Sequence, residues 1–124
     1  MRHKILIADD EPSIVVSLEF LLGREGFEIA VARDGEEALS QASAFRPNAI
    51  LLDVMMPKKS GFEVCEALRA NPEMTGLVIV MLTAKGRDAE VARGLAIGAD
   101  AYITKPFANK ELLARLRELL EGRS

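Results

Sequence analysis

Short apolar runs recur along this chain, each followed by a helix-length amphipathic segment, and the alternation repeats five times. A strand–helix repeat of that kind restricts the chain to a parallel sheet with helices packed on its faces. Ile5-Leu6-Ile7-Ala8, Ala49-Ile50-Leu51-Leu52 and Val78-Ile79-Val80-Met81-Leu82 are solidly apolar, as expected of strands covered on both sides. Phe27-Glu28-Ile29-Ala30-Val31-Ala32 alternates instead, which suits an edge strand. Right-handed crossovers then leave the order 2-1-3-4-5. The expected fold is α/β, a three-layer doubly wound sheet of five parallel strands with five helices. A length of 124 residues suits one domain over 1–124.

The helices are legible from caps and stripes. Pro12 suits a first helical position, with Asp10 or Glu11 as cap; Ile14, Leu18, Leu21 and Leu22 form the buried stripe, and Gly23 or Gly26 the stop. A second helix is expected over 34–45, with Ala38, Ala42 and Phe45 facing inward and Pro47 closing it. A third covers 60–70 and leaves through Asn71-Pro72. The fourth, 87–97, is poor in large apolar side chains: Val91 and Leu95 help but alanines dominate, so it should dock weakly and be able to move. The fifth, 109–121, sets Leu112, Leu113, Leu116, Leu119 and Leu120 on one stripe and spaces Glu111 and Arg115 as an i,i+4 pair.

Four of the apolar runs end on residues with chemistry to offer: Asp9-Asp10, Asp53, Thr83 and Lys105-Pro106. In a parallel sheet these ends share one edge, where open α/β sheets bind ligands. Taken singly, each has a plain explanation as a helix cap, a turn residue or a solvated charge. Together they do not. Carboxylates on neighbouring strands about 5–7 Å apart repel by a few kcal/mol. With no histidine or cysteine nearby, a hard divalent cation such as Mg²⁺ fits that oxygen set. A hydroxyl and an ammonium facing the metal-bound carboxylate complete the parts of a phosphoryl-transfer site, with a carboxylate as nucleophile. Asp53 is the choice for nucleophile, because it stands alone at the central strand end while Asp9 and Asp10 form a metal-holding pair.

The ordered set Ile7-Ala8-Asp9-Asp10-Glu11-Pro12, Leu52-Asp53-Val54-Met55-Met56-Pro57 with Gly61, Leu82-Thr83-Ala84 and residues 98–107 closely resembles the receiver domain of two-component response regulators, the flavodoxin-like module of the chemotaxis response regulator. The resemblance covers essentially the whole chain. It implies that Asp53 accepts a phosphoryl group from a sensor histidine kinase or phosphotransfer protein, as a stoichiometric acceptor and not a turning-over enzyme. Asp10 would bind Mg²⁺ directly, Asp9 through water, and Asp53 and the Met55 carbonyl would complete the set. Lys105 would contact the phosphoryl group, Thr83 would hydrogen-bond it, and Tyr102 would swing inward with Thr83. The Lys105–Pro106 bond is expected to be cis. The face made by the fourth helix, fifth strand and fifth helix would meet a downstream protein or output domain, or form a homodimer on phosphorylation. Dimerising relatives usually carry two acids before the tyrosine; here Asp100 is followed by Ala101, which weakens any ion-pair network through Arg93, Glu111, Arg115 and Arg117. Kinase choice is expected on the exposed face of the first helix near Ser13, Ser17 and Phe20.

Other classes fit poorly. Sixteen basic against nineteen acidic residues give a net charge of −3, which argues against nucleic-acid binding by this domain. No apolar run approaches a membrane span, and no secretory h-region follows Met1, so a cytoplasmic location is expected. The lone Cys65 reads as a structural thiol. A haloacid-dehalogenase-like phosphatase also uses aspartate, threonine, lysine and Mg²⁺. Its nucleophile belongs to a D-x-D pattern on the first strand, however, whereas Asp9 and Asp10 are adjacent, and this chain has no room for a cap. A flavin carrier would place carboxylates against phosphate and has no tryptophan for stacking.

Overall fold

The computed structural model describes residues 3–84 and 88–122. Its elements run β1 (Lys4–Ala8), α1 (Pro12–Arg24), β2 (Glu28–Ala32), α2 (Gly35–Phe45), β3 (Ala49–Asp53), α3 (Gly61–Ala70), a 3-10 turn (Pro72–Met74), β4 (Val78–Ala84), α4 (Asp88–Ala96), β5 (Ala101–Lys105) and α5 (Asn109–Glu121). All strand pairs are parallel and the order is β2-β1-β3-β4-β5, so the alternating strand is indeed an edge.

The period-two geometry of each strand divides its side chains between two cores. Ile5, Ile7, Leu51, Val80 and Leu82 pack against Leu18 and Leu22 of α1 and Leu112 and Leu116 of α5. Leu6, Ile50, Leu52 and Ile79 face the other way, against Ala38 and Ala42 of α2 and Val64 and Leu68 of α3. Each fully buried leucine or isoleucine contributes roughly 1.5–3 kcal/mol relative to exposure. The flanking layers therefore hold the sheet, and with it the strand ends, in place.

Several local expectations are corrected. In α1 the fully buried residue of the first turn is Val15, with Ile14 only half-buried against the same core. Glu11 stands at the N-cap without a side-chain cap bond; Asp9 Oδ1 instead accepts the Glu11 N–H at 2.9 Å. The helix runs through Gly23 to Arg24, and Gly26 (φ 90°) makes the turn. Phe45 is half-buried, its ring 5.3 Å beneath the Lys4 ammonium. Arg115 pairs with Glu118 at 3.3 Å and not with Glu111, since the guanidinium reaches the next turn of α5 toward its C-terminus.

The contrast between α3 and α4 matters for function. A full capping box joins Ser60 and Glu63 at the start of α3, and Phe62, Val64, Cys65 and Leu68 are buried. In α4, Gly94 is buried, Val91 is half-buried and Leu95 is 43% exposed, and Ile97 just past its end is half-buried. Leu95 thus contributes less to docking than its spacing promised. What α4 has instead is close approach: Gly94 packs by Met81 and Phe62, and the Arg93 guanidinium lies 4.4 Å above the Phe62 ring. Expected helix residue Arg87 lies outside the described residues.

Candidate phospho-acceptor site

Register builds the site. Ala8 pairs with Leu52 and Asp53 with Leu82, so Asp9, Asp53 and Thr83 emerge side by side at the C-terminal ends of β1, β3 and β4. Lys105 closes β5 and pairs with Ala84. The Lys105–Pro106 bond is cis. Asp9, Asp10 and Asp53 each bring a carboxylate oxygen within 4.8 Å of the others. Asp9 and Asp53 are buried while Asp10 is exposed, so the cluster opens on one side only. The adjoining pocket of about 200 Å³ is lined by Asp10, Asp53, Met55, Thr83 and Lys105 among others.

Lys105 Nζ lies 2.9 Å from Asp9 Oδ2 and 3.4 Å from Asp53 Oδ1, with Glu11 Oε1 farther off at 3.9 Å. The sequence offers Glu11 only as a helix-cap candidate, and the structure brings its carboxylate to the rim of this site. Burial pushes the Asp53 carboxyl up, the Asp9 charge adds to this, and Lys105 and the Met55 N–H pull it back only in part. The result is about 6, so Asp53 is mostly ionised at neutral pH yet more basic than an ordinary carboxylate. Burial alone would lower Lys105, but its close contact with Asp9 and the charges of Asp53 and Asp9 hold it above its ordinary value. It stays an ammonium.

Among the described residues, two buried side-chain oxygens make no hydrogen bond: Asp9 Oδ2 and Thr83 Oγ1. Asp9 Oδ2 meets Lys105 as an ion pair off the directional geometry of a hydrogen bond. Buried groups of this kind are uncommon and call for a ligand or ion. An all-oxygen donor set with an under-partnered buried carboxylate oxygen fits a hard divalent cation. Thr83 faces the pocket and also borders a seam with Met81, Val91, Gly94 and Tyr102 that is too narrow for water. Tyr102 itself is turned outward and 45% exposed.

The other residues singled out in the sequence are spread over the surface as their elements dictate. Ser13 and Ser17 are exposed on α1, with Val16 63% and Phe20 70% exposed beside them. Of the charges on the α4–β5–α5 face, Arg93 is stacked on Phe62, Arg115 pairs with Glu118, and Arg117 pairs with Glu25 at 2.7 Å. Asp100 is bound to Arg69 at 2.7 Å. Of these, only the Asp100–Arg69 pair turns inward; the Arg115 and Arg117 pairs stay on the surface. Cys65 is fully buried and its thiol is pushed up by burial, as suits a structural role. Among the described residues no helix is long and apolar enough to cross a membrane.

Comparison with known proteins agrees with this geometry. Residues 5–117 match the family model of the response regulator receiver domain. The chain is 48% identical over 120 residues to the alkaline phosphatase synthesis transcriptional regulatory protein PhoP of Bacillus subtilis, covering 97% of this chain and 49% of that protein. It is equally 48% identical to the DNA-binding response regulator MtrA of Mycobacterium tuberculosis, covering 97% and 51%. It therefore spans about half the length of the curated relatives it matches. Among solved structures, the chemotaxis response regulator CheY4 of Vibrio cholerae superposes with a TM-score of 0.90 at 34% identity, covering 96% of this chain and 99% of that one. A receiver domain protein from Methanospirillum hungatei gives 0.92 at 30% identity, covering 99% and 97%. None of these matches supports the phosphatase alternative. With its sheet order, its acidic cluster and these relatives, the chain belongs to the response regulator receiver domain family, the phospho-acceptor switches of two-component signalling.

Proposed function

We propose that Asp53 is the phosphoryl acceptor of this domain and that Asp9, Asp10, Asp53 and the Met55 carbonyl hold the Mg²⁺ on which the transfer depends. The observation that carries this reading is the meeting of three carboxylates within 4.8 Å of one another, with the Lys105 ammonium 3.4 Å from Asp53. An Asp53 oxygen attacks the phosphorus of a phosphohistidine on the partner kinase or phosphotransfer protein. The P–O bond forms as the P–N bond breaks, and the imidazole departs with the electron pair. Mg²⁺ held by Asp9, Asp10, Asp53 and the Met55 carbonyl would supply positive charge to the phosphoryl oxygens. Lys105 offsets the charge that gathers at Asp53, and the unpartnered Thr83 hydroxyl donates to a phosphoryl oxygen. Drawing Thr83 toward the phosphoryl group opens room in the seam for Tyr102 to turn inward, and the α4–β5–α5 face changes. The domain acts once per phosphoryl group received and does not turn over as an enzyme.

The exposed α1 face around Ser13, Ser17 and Phe20 is the proposed kinase-docking surface. The α4–β5–α5 face is the proposed contact for a downstream protein, an output domain, or a second copy of the phosphorylated chain. The reading places the protein in the cytoplasm and gives this domain no direct contact with nucleic acid.

Mass spectrometry after treatment with acetyl phosphate and Mg²⁺ tests the assignment. One phosphoryl group should appear on wild type and none on Asp53→Asn; a singly phosphorylated Asp53→Asn would refute it. Sustained hydrolysis of free phosphomonoesters would point instead to a phosphatase. Thr83→Ala should still accept the phosphoryl group yet show a weakened change at the α4–β5–α5 face, read by amide exchange or sizing. Full switching of that variant would sink the coupling.

A further inference from the structure

The stretch from residue 54 to residue 60 carries Met55 and links Asp53 to α3, and it is gripped from two sides. On the near side, Gly61 N–H donates to the Val54 carbonyl at 2.9 Å, and Met55 N–H donates to Asp53 Oδ1 at 3.3 Å. A Cβ at residue 61 would overlap the Asp53 carbonyl oxygen and stand 2.9 Å from Val54 Cα. The far side is held by α2, an element that contributes no residue to the acidic cluster. Gly35 N–H donates to the Pro57 carbonyl at 3.2 Å. A Cβ at residue 35 would overlap the Lys59 carbonyl oxygen and Cβ and stand 2.9 Å from the Lys59 carbonyl carbon. The Asp34 carboxylate pairs with Lys58 Nζ at 3.6 Å. Lys58 itself has φ 68°, a left-handed conformation that a lysine keeps only where its surroundings impose it.

We propose that Gly35 is a positioning residue for the acceptor site. Its missing side chain lets the backbone of residues 57–59 seat against the start of α2, and that seating sets where the Met55 carbonyl and the Asp53 carboxylate stand. The inference rests on the Mg²⁺ site described above and extends it to a second layer that touches neither metal nor phosphoryl group. Such outer contacts tune metal affinity because they orient the groups that ligate. The obstacle to any side chain at residue 35 is backbone, which cannot turn aside as a flexible side chain would. Displacing Lys59 by a methyl group therefore moves a segment anchored only two residues from Met55.

Calorimetric titration of the full chain with Mg²⁺, before any phosphodonor is added, provides the test. Gly35→Ala should weaken Mg²⁺ binding on the order of tenfold. Phosphorylation by acetyl phosphate should then need more Mg²⁺ but reach the wild-type plateau. Gly76→Ala, where an added Cβ meets nothing within 4 Å, should leave both readouts unchanged. A purely structural role for Gly35 would lower the unfolding midpoint with Mg²⁺ affinity intact, and that result overturns the proposal. If Gly35→Ala does not fold, Lys58→Glu decides by sign. By charge alone an added carboxylate strengthens cation binding, whereas repulsion from Asp34 should unseat the segment and weaken it. Stronger or unchanged binding in Lys58→Glu overturns the proposal. Failure of the underlying site looks different: wild type would then bind no Mg²⁺, or Asp53→Asn would still be phosphorylated.

Discussion

At the N-terminal edge of the sheet, Arg69 donates to the Gly98 carbonyl at 2.7 Å, the Leu77 carbonyl at 2.8 Å and Asp100 Oδ2 at 2.7 Å. That same Asp100 oxygen accepts the Ile79 N–H at 2.8 Å. At the opposite edge, Asp9 and Asp53 share one ammonium, the Asp53 carboxyl is pushed up to about 6, and the Thr83 hydroxyl finds no partner. Both edges bury charge on a parallel sheet. The first gives each nitrogen of the guanidinium an acceptor and ties α3 to the starts of β4 and β5. The second leaves like charges crowded and donors unused. Buried polar groups are normally satisfied, so a cluster left open is a place kept for something that arrives.

Stability measurements can break this comparison. The largest effect is expected at the closed edge: Arg69→Ala strips Asp100 of its guanidinium and should cost about 2–4 kcal/mol in urea unfolding. A cost below about 1 kcal/mol would mean that this edge is no more committed than the other. Next comes Asp53→Asn in EDTA. The Asp53 pKa of about 6 lies above its ordinary 3.8, so the folded state binds this proton more tightly than the unfolded chain. Its contribution to stability is present below about 3.8 and is lost as pH rises through about 6. At pH ~7.5 the charged group is a burden, and the asparagine variant should be more stable by ~2 kcal/mol, a gain that fades toward pH ~4. A gain independent of pH would dissociate it from the carboxylate charge.

Smaller still, Thr83→Val removes an unpartnered buried hydroxyl and should leave stability unchanged or raise it by up to about 1 kcal/mol. A clear loss would reveal a partner for that hydroxyl in solution. As a baseline, Arg115→Ala breaks only the exposed pair with Glu118 and should fall within about 0.5 kcal/mol of wild type. A larger cost there would show that the surface pairs of α5 do more than hold solvent-facing charge.

Legibility followed the same division. The strand ends Asp9, Asp53, Thr83 and Lys105 could be read because apolar runs of strand length state where each side chain leaves the sheet, and parallel pairing puts those exits on one rim. The thin apolar burial of α4 was readable from its alanines, although Leu95 proved more exposed than its spacing suggested. The far edge was not readable. Arg69 and Asp100 are separated by 31 positions, and nothing in their neighbourhoods marks them as partners. Gly35 likewise carries no local mark of its role at the start of α2, since the backbone it receives comes from residues 57–59.

By itself the sequence determined the strand–helix alternation, the edge strand, the helix stripes and the gathering of acids, hydroxyl and ammonium on one rim. These follow from periods of two and 3.6 residues and from strand polarity, which are local properties. Only the tertiary structure decided which charges are consumed inside the fold, that Val15 rather than Ile14 is fully buried in the first turn of α1, and that the start of α2 seats the segment behind Asp53. Those outcomes depend on distances between elements far apart in the chain, where a few tenths of an ångström separate contact from overlap and no local periodicity records the difference.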